Sequence, residues 1–348
     1  MTGAPPGPGE TTPDNSPEGQ SEQVTIYDVA AAAGVAPSTV SRALSKPGRV
    51  SFRTAEHVRQ VAAELGYRTE SRQRSTFGEP SRLLAMVVAD ITNPVFYGMI
   101  RGAERTARHE GYELLLVETQ ESREVEQSLL ERLGSVTDGI ILTSSRLSDP
   151  QILAVTKKVP LVVLNRLVHQ VPSVVADNRQ ATTKAAEHLA GLGHRRITYL
   201  AGPEASWVDG ARWRGLVEAG HHLDLGIRRS GPHLPTPAGG REAAAVWLDH
   251  PASSVVAYND LIAIGFIQAL HEAGVDVPGQ VSVVGFDNIR DSELVTPQLT
   301  TVAAPLVSLG SAAVRHLLKI AMLPTRTNES VVLPARLVVR ASTGPAAR

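Results

Sequence analysis

Cysteine is absent from this chain of 348 residues, which excludes disulfides, thiol nucleophiles and cysteine metal sites. No apolar run approaches the roughly 18 residues of a membrane-spanning helix, so no membrane contact is expected. Residues 1–23 lack both a basic start and an apolar stretch, and do not read as a signal peptide. Their richness in Pro, Gly, Ser, Thr and Glu predicts a disordered tail. These absences fit a reducing cytoplasm. Enzyme signatures are missing as well. No Gly-x-Gly-x-x-Gly follows a strand pattern, and neither Gly-x-x-x-x-Gly-Lys-Ser/Thr nor His-Glu-x-x-His occurs. The pairs His221–His222 and His188–His194 lack metal-ligand spacing with carboxylates and read as surface or loop histidines. No catalysis, metal or cofactor is expected.

Net charge is also nearly absent, at −1, so the whole chain is not a basic nucleic-acid coat. The charge is uneven, however. Between residues 24 and 76, Arg42, Lys46, Arg49, Arg53, Arg59, Arg68, Arg72 and Arg74 face only Asp28, Glu56, Glu64 and Glu70. Such a local basic excess is the footprint of phosphate contacts, or simply a solvated charged face.

This same stretch has a helical pattern. Thr25-x-x-Asp28 resembles a capping box, with Asp in place of Glu. Val29, Ala30 and Ala33 form an apolar stripe, and Gly34 can take the left-handed conformation that ends a helix. Pro37 suits the first position of a second helix, where its missing N–H costs nothing. Val40, Ala43 and Leu44 point inward at helical spacing, leaving Ser38, Thr39, Ser41 and Arg42 outside. Ser51 caps a third helix, with Ala55, Val58, Ala62 and Leu65 on one face and Gly66 at its end. A helix-turn-helix with a hydroxyl-rich outer helix is a DNA reader; a three-helix module for protein contacts is the other reading.

Past an arginine-rich segment, 69–82, the period changes. Strands are predicted at 83–89, 112–117, 139–143 and 161–164, alternating with helices at 97–110, 124–133 and 150–158. The alternation restarts at Val174. Helices follow at 179–190, 210–219, 242–248 and 261–272, with strands at 197–201, 254–257 and 281–285. Apolar strands alternating with helices predict parallel sheets covered on both faces. With 42 % hydrophobic residues and this length, two α/β lobes with a cleft between them are expected. Ligands of such sheets sit outside the strands' carboxyl ends. Polar or aromatic candidates there are Arg166, Asp177, Trp207 and Asn259. Asp177 reads equally as a helix cap and Trp207 as a surface hydrophobe. Trp213 reads as packing. Asp260 is the expected cap of the 261–272 helix. A guanidinium such as Arg212 can fork to hydroxyls, and Asp287 offers two acceptor oxygens to paired hydroxyls.

Tyr27-Asp-Val-Ala-x-x-Ala-Gly-Val-x-x-Ser-Thr-Val-Ser-Arg-Ala-Leu44 resembles the N-terminus of the lactose-repressor (LacI/GalR) family of bacterial transcriptional regulators. Asn93-Pro94, Gly202-Pro203 with Arg212-x-x-Gly215, Asn259-Asp260-x-x-Ala263-x-Gly265 and Gly285-Phe286-Asp287 resemble later segments of that family. The resemblance implies Phe96 as an aromatic lining the effector pocket (equally a core aromatic), Arg212 as the ligand-gripping arginine and Asp287 as the effector-binding aspartate. The resemblance covers nearly everything after residue 23. It implies a cytoplasmic homodimer, a repressor by preference, reading a pseudopalindromic double-stranded DNA operator. It also implies a bilobed, periplasmic-binding-protein-like domain of two doubly wound parallel sheets that takes a small effector, a carbohydrate by preference. On this reading residues 24–68 are the DNA-binding domain, and Tyr27, Pro37, Ser38, Thr39, Ser41 and Arg42 face DNA. One lobe covers about 83–178 and 303–333, the other about 179–302 and 334–344. A sugar receptor with no transcriptional role is the alternative. No leucine heptad follows Arg340, so the tetramer-forming tail of some relatives is expected to be missing. The linker departs from the family: Thr76 stands where a leucine wedges the minor groove. Phe77 is then a displaced wedge with Arg72 and Arg74 on phosphates, or the linker is disordered.

Overall fold

The computed structural model describes residues 24–45, 50–65, 80–322 and 329–346. The predicted tail, Gly66, most of the 69–82 linker, and Arg72, Arg74 and Phe77 lie outside them. The chain divides into two compact units, 1–78 and 79–348.

Among its described residues the first unit holds three helices: α1 (Ile26–Ala33), α2 (Pro37–Ser45) and α3 (Phe52–Glu64). Thr25 starts α1 by donating its backbone N–H and its hydroxyl to the Asp28 carboxylate, at 2.7 and 2.6 Å. Gly34 ends it at φ 64°, ψ 31°, a left-handed conformation that costs a residue with a Cβ about 1–2 kcal/mol. That turn sends the chain into α2, opened by Pro37 as expected. Val29, Ala30, Ala33, Val40, Ala43, Ala55, Val58, Val61 and Ala62 make the core. Leu65 is a correction: it sits past the last turn, at the C-cap, and is exposed, while Val61 fills the inner face.

The second unit contains two six-stranded sheets. The first uses β1 (Leu83–Val88), β2 (Glu113–Glu118), β3 (Gly139–Thr143), β4 (Leu161–Leu164), β5 (Ser173–Ala176) and β11 (Ser330–Leu333) in the order β11-β5-β4-β3-β1-β2. The second uses β6 (Arg196–Leu200), β7 (Gly226–Ser230), β8 (Ser254–Ala257), β9 (Ser282–Phe286), β10 (Thr300–Ala303) and β12 (Arg336–Val338) in the order β12-β10-β9-β8-β6-β7. Pairing is parallel except between β10 and β12. Among the described residues the chain crosses between the sheets three times, at 176–178, 303–306 and 333–336.

Each sheet is packed on both faces. In the N-lobe, α4 (Val95–His109) and α11 (Leu306–Met322) cover one face; α5 (Arg123–Val136) and α6 (Asp149–Thr156) cover the other. In the C-lobe, α7 (Asn178–Gly191) and α8 (Trp207–Leu223) lie opposite α9 (Pro237–Leu248) and α10 (Asp260–Glu272). The central strands are buried apolar runs, as expected. Edge strands β2 and β7 are not: Glu113 and Leu115 of β2 and Gly226, Arg228 and Arg229 of β7 are exposed. Full coverage therefore holds for the inner strands only.

Candidate functional site

In α2, Ser38, Ser41 and Arg42 are exposed while Val40 and Ala43 are buried. Pro37 is exposed, Thr39 half-buried, and Tyr27 on α1 presents a 70 % exposed ring. This is the outward polar helix that the spacing predicts, on a turn fixed by Gly34.

In the second unit the strands' carboxyl ends gather the polar residues. Arg212, 5 % exposed on α8, is the centre. One terminal nitrogen donates to an Asp287 oxygen at 3.0 Å, the other to the Tyr258 carbonyl, and Nε donates to Asn178 Oδ1 at 3.2 Å. Its guanidinium carbon lies 4.1 Å from the Phe286 ring centre and 5.2 Å from that of Tyr258. Burial pushes the Asp287 carboxyl above its ordinary range, and the Arg212 charge opposes that rise. The pair thus offers a cation, an anion and two aromatic faces in one place.

The backbone that carries Asp287 is strained. Asp287 and Asn288 have φ of 106° and 55°, positions that cost a non-glycine residue about 1–3 kcal/mol each. Three successive amides hold it. Asp287 N–H donates to the Val302 carbonyl at 2.8 Å, Asn288 N–H to Thr301 Oγ1 at 3.3 Å and Ile289 N–H to Asp260 Oδ2 at 2.9 Å. Asp260 is fully buried and also accepts from Thr301 Oγ1 at 2.5 Å. Burial, reinforced by the Asp287 charge, raises its carboxyl well above the ordinary range.

One assignment changes here. Asn259, not Asp260, caps α10: its Oδ1 accepts from Ile262 N–H at 2.9 Å. Its amide nitrogen donates to the Pro235 carbonyl at 3.2 Å, so both ends of this predicted ligand-reaching side chain are engaged within the fold. Arg166 donates to the carbonyls of Ser145 and Leu147, at 3.0 and 2.7 Å, and to Asp149 at 2.5 Å, bracing the loop after β3. Phe96 is 4 % exposed within the N-lobe core; Phe286 and Tyr258 are the aromatics that meet Arg212. Asp177 caps α7, accepting from Gln180 N–H at 2.9 Å. Trp207 is half-buried at the start of α8. Trp213 packs on Tyr199, ring centres 5.9 Å apart, as expected.

Several residues were missed by sequence reading. Asn178, which orients Arg212, resembled any polar residue in a first helical turn. Asp209 is 1 % exposed and accepts from Tyr199 Oη, Gly202 N–H and Arg229, at 2.9, 2.7 and 2.6 Å. It thereby fixes the Gly202-Pro203 loop against α8. Gly202 itself permits the site, because a Cβ there would strike the Tyr258 ring. His194 also departs from expectation. It is 2 % exposed, not at the surface, and bonds Ser253, Ser282 and the Gly344 carbonyl.

Residues 25–70 match the family described as bacterial regulatory proteins, lacI family, and residues 186–343 match a periplasmic binding protein-like domain. The ribose operon repressor of Halalkalibacterium halodurans is 32 % identical, covering 92 % of this chain and 97 % of its own. A LacI family transcriptional regulator from Enterococcus faecium, solved with bound ribose, is similar at 30 % identity and a TM-score of 0.68 over 76 % of this chain and all of its own. The lac repressor dimer bound to operator and the anti-inducer ONPF is similar at 26 % identity, with a TM-score of 0.69 over 93 % of this chain and all of its own.

Proposed function

Because this chain belongs to the LacI family of bacterial transcriptional regulators, we propose that it is a cytoplasmic, homodimeric repressor whose grip on DNA is set by a small polyhydroxyl effector, a sugar or sugar derivative. The paired α2 helices read the half-sites of a pseudopalindromic operator. Ser38, Ser41 and Arg42 supply the polar contacts, and Pro37 an apolar one to a thymine methyl. The effector sits at the carboxyl ends of the two sheets, where Arg212 and Asp287 grip hydroxyls and Trp207 stacks on the ring. Asp177 and the face of Phe286 border that space. Asn259 and Arg166 act from behind, as cap and brace.

The observation that carries the reading is the Arg212–Asp287 pair, buried against two aromatic rings. A sugar offers alternating hydroxyl donors and acceptors and apolar ring faces, and this combination answers both. Closure of the lobes on the effector then changes how the two DNA heads are presented.

The test starts with operator selection from random duplexes by the full chain. The selected duplex is then titrated with sugars in a fluorescence anisotropy assay. Arg42→Ala is expected to cost about 1–3 kcal/mol and to relax discrimination at one base pair of each half-site. Selection of no sequence, or unchanged discrimination by Arg42→Ala, would overturn the DNA-reading half of the proposal.

A further inference from the structure

In each sheet of the second unit, one strand has neighbours that lead away in opposite directions. In the N-lobe this is β1, between β2 and β3; in the C-lobe it is β6, between β7 and β8. The crevice at such a switch point is where open α/β sheets take ligands. The C-lobe crevice lies between the loops after β6 and β8, which carry Ser206 and Tyr258, their hydroxyls 3.1 Å apart. The N-lobe crevice lies between the loops after β1 and β3, and the second of these carries Arg146.

Arg146 is held with unusual care for a loop residue. Its N–H donates to Glu126 Oε2 at 2.9 Å, and its carbonyl accepts from Arg123 Nε at 3.3 Å. The carbonyls on either side, Ser145 and Leu147, are both gripped by Arg166. Glu126 is 1 % exposed, and Ser145 Oγ donates to it as well. The Arg146 side chain is only 10 % exposed, and Nε donates to Glu121 at 2.5 Å. Among the described residues its two terminal nitrogens meet no acceptor. Burial raises the Tyr258 hydroxyl above its ordinary value; the charges of Arg212 and, from the other lobe, of Arg146 work against that rise.

We propose that Arg146 is the N-lobe's effector contact and sets specificity by presenting its two terminal amino groups to a pair of hydroxyl oxygens on a neutral sugar. This rests on the effector reading above. Glu121 balances the guanidinium, so the contact rewards a well-placed pair of acceptors rather than a net negative charge. The planar fork demands both oxygens at once, which a lysine ammonium does not.

The experiment uses the full chain on its selected operator. It measures the sugar concentration that half-shifts DNA binding for D-ribose, D-xylose, D-glucose, cellobiose and D-ribose 5-phosphate. Wild type, Arg146→Met and Arg146→Lys are compared, with Arg108→Ala on the outer surface of α4 as control. For the sugar that shifts wild type, Arg146→Met is expected to raise the midpoint about 10- to 100-fold, the loss of a charged hydrogen-bond pair. Arg146→Lys recovers part of that loss, and the Arg108→Ala midpoint stays at wild type. An unchanged midpoint in Arg146→Met, even with a lowered melting temperature, overturns the contact and leaves Arg146 as a brace of its loop. A wild-type response confined to ribose 5-phosphate overturns the neutral-sugar class. If no compound shifts wild type, the effector reading fails first and this inference with it.

Discussion

At the scale of single residues, the Arg212–Asp287 pair has an energetic consequence distinct from its role with ligand. Both partners are buried, with side chains 6 % and 8 % exposed. Removing one charge from a buried pair costs about 3–5 kcal/mol, because the other is stranded. Asp287→Ala is therefore expected to destabilise the protein by that amount as well as to abolish the sugar response. Asp287→Asn keeps an acceptor for the guanidinium and should cost less. Denaturant titrations of the three proteins measure this; a loss under about 1 kcal/mol in Asp287→Ala would mean that the pair is solvated in solution. The strain at Asp287 points the same way: the carboxylate is held in place by its backbone, so a substitution removes a chemical group without freeing the loop.

At the scale of elements, the C-terminal segment 340–346 is a strap across the C-lobe. Arg340 donates to the Leu299 carbonyl and to Asn288 Oδ1, both at 2.8 Å. Ser342 Oγ donates to the Val283 carbonyl at 2.6 Å, and Ala346 N–H to the Leu192 carbonyl at 2.9 Å. His194 lies under the strap. Since a carbonyl only accepts, Nε2 carries the proton toward Gly344, and Nδ1 accepts from Ser253. Burial lowers the His194 pKa below its ordinary 6.5, and nearby His188 is lowered too, also by burial. A depressed histidine means that the unfolded chain binds the proton more readily. Its contribution to stability is thus complete above 6.5 and is lost as pH falls through the depressed value. Melting temperature is expected to drop as pH falls below about 6.5, less steeply in His194→Gln. Equal slopes in the two proteins would clear His194 of the effect.

Much of this was legible in the sequence, and the remainder has identifiable reasons. The inner strands and the helices beside them were readable because burial on both faces leaves continuous apolar runs. Gly34 and Pro37 marked a turn through backbone chemistry alone. Strand β7 reads Gly-Ile-Arg-Arg-Ser and carries no such run, because at the sheet edge the adjacent Arg228 and Arg229 both reach solvent. The α10 cap was placed one residue late because Asn and Asp are both good caps and stand side by side. Arg212 and Asp287 were found through motif resemblance. Arg146 was not, since its importance depends on strand order, which no local pattern encodes.

At the scale of the whole molecule, two compact units joined in one chain should respond separately to a ligand held by one of them. In calorimetry, a sugar that passes the titration above should raise the transition of the 79–348 unit by about 2.7 kcal/mol at one hundred times its dissociation constant. The transition of the helical unit should stay where it is. A single transition that moves as a whole would show that the units do not unfold independently. The three chain crossings between the lobes carry a further implication, for the order of events on the ribosome. The three described helices of the head are made once residue 65 has emerged, but the first sheet still lacks β11, and its covering α11 begins only at Leu306. At bacterial synthesis rates of about 5–20 residues per second, the head therefore exists for on the order of ten seconds or more before the unit that governs it can close. During that interval each nascent chain carries a DNA reader without its control, and one tethered to its own messenger.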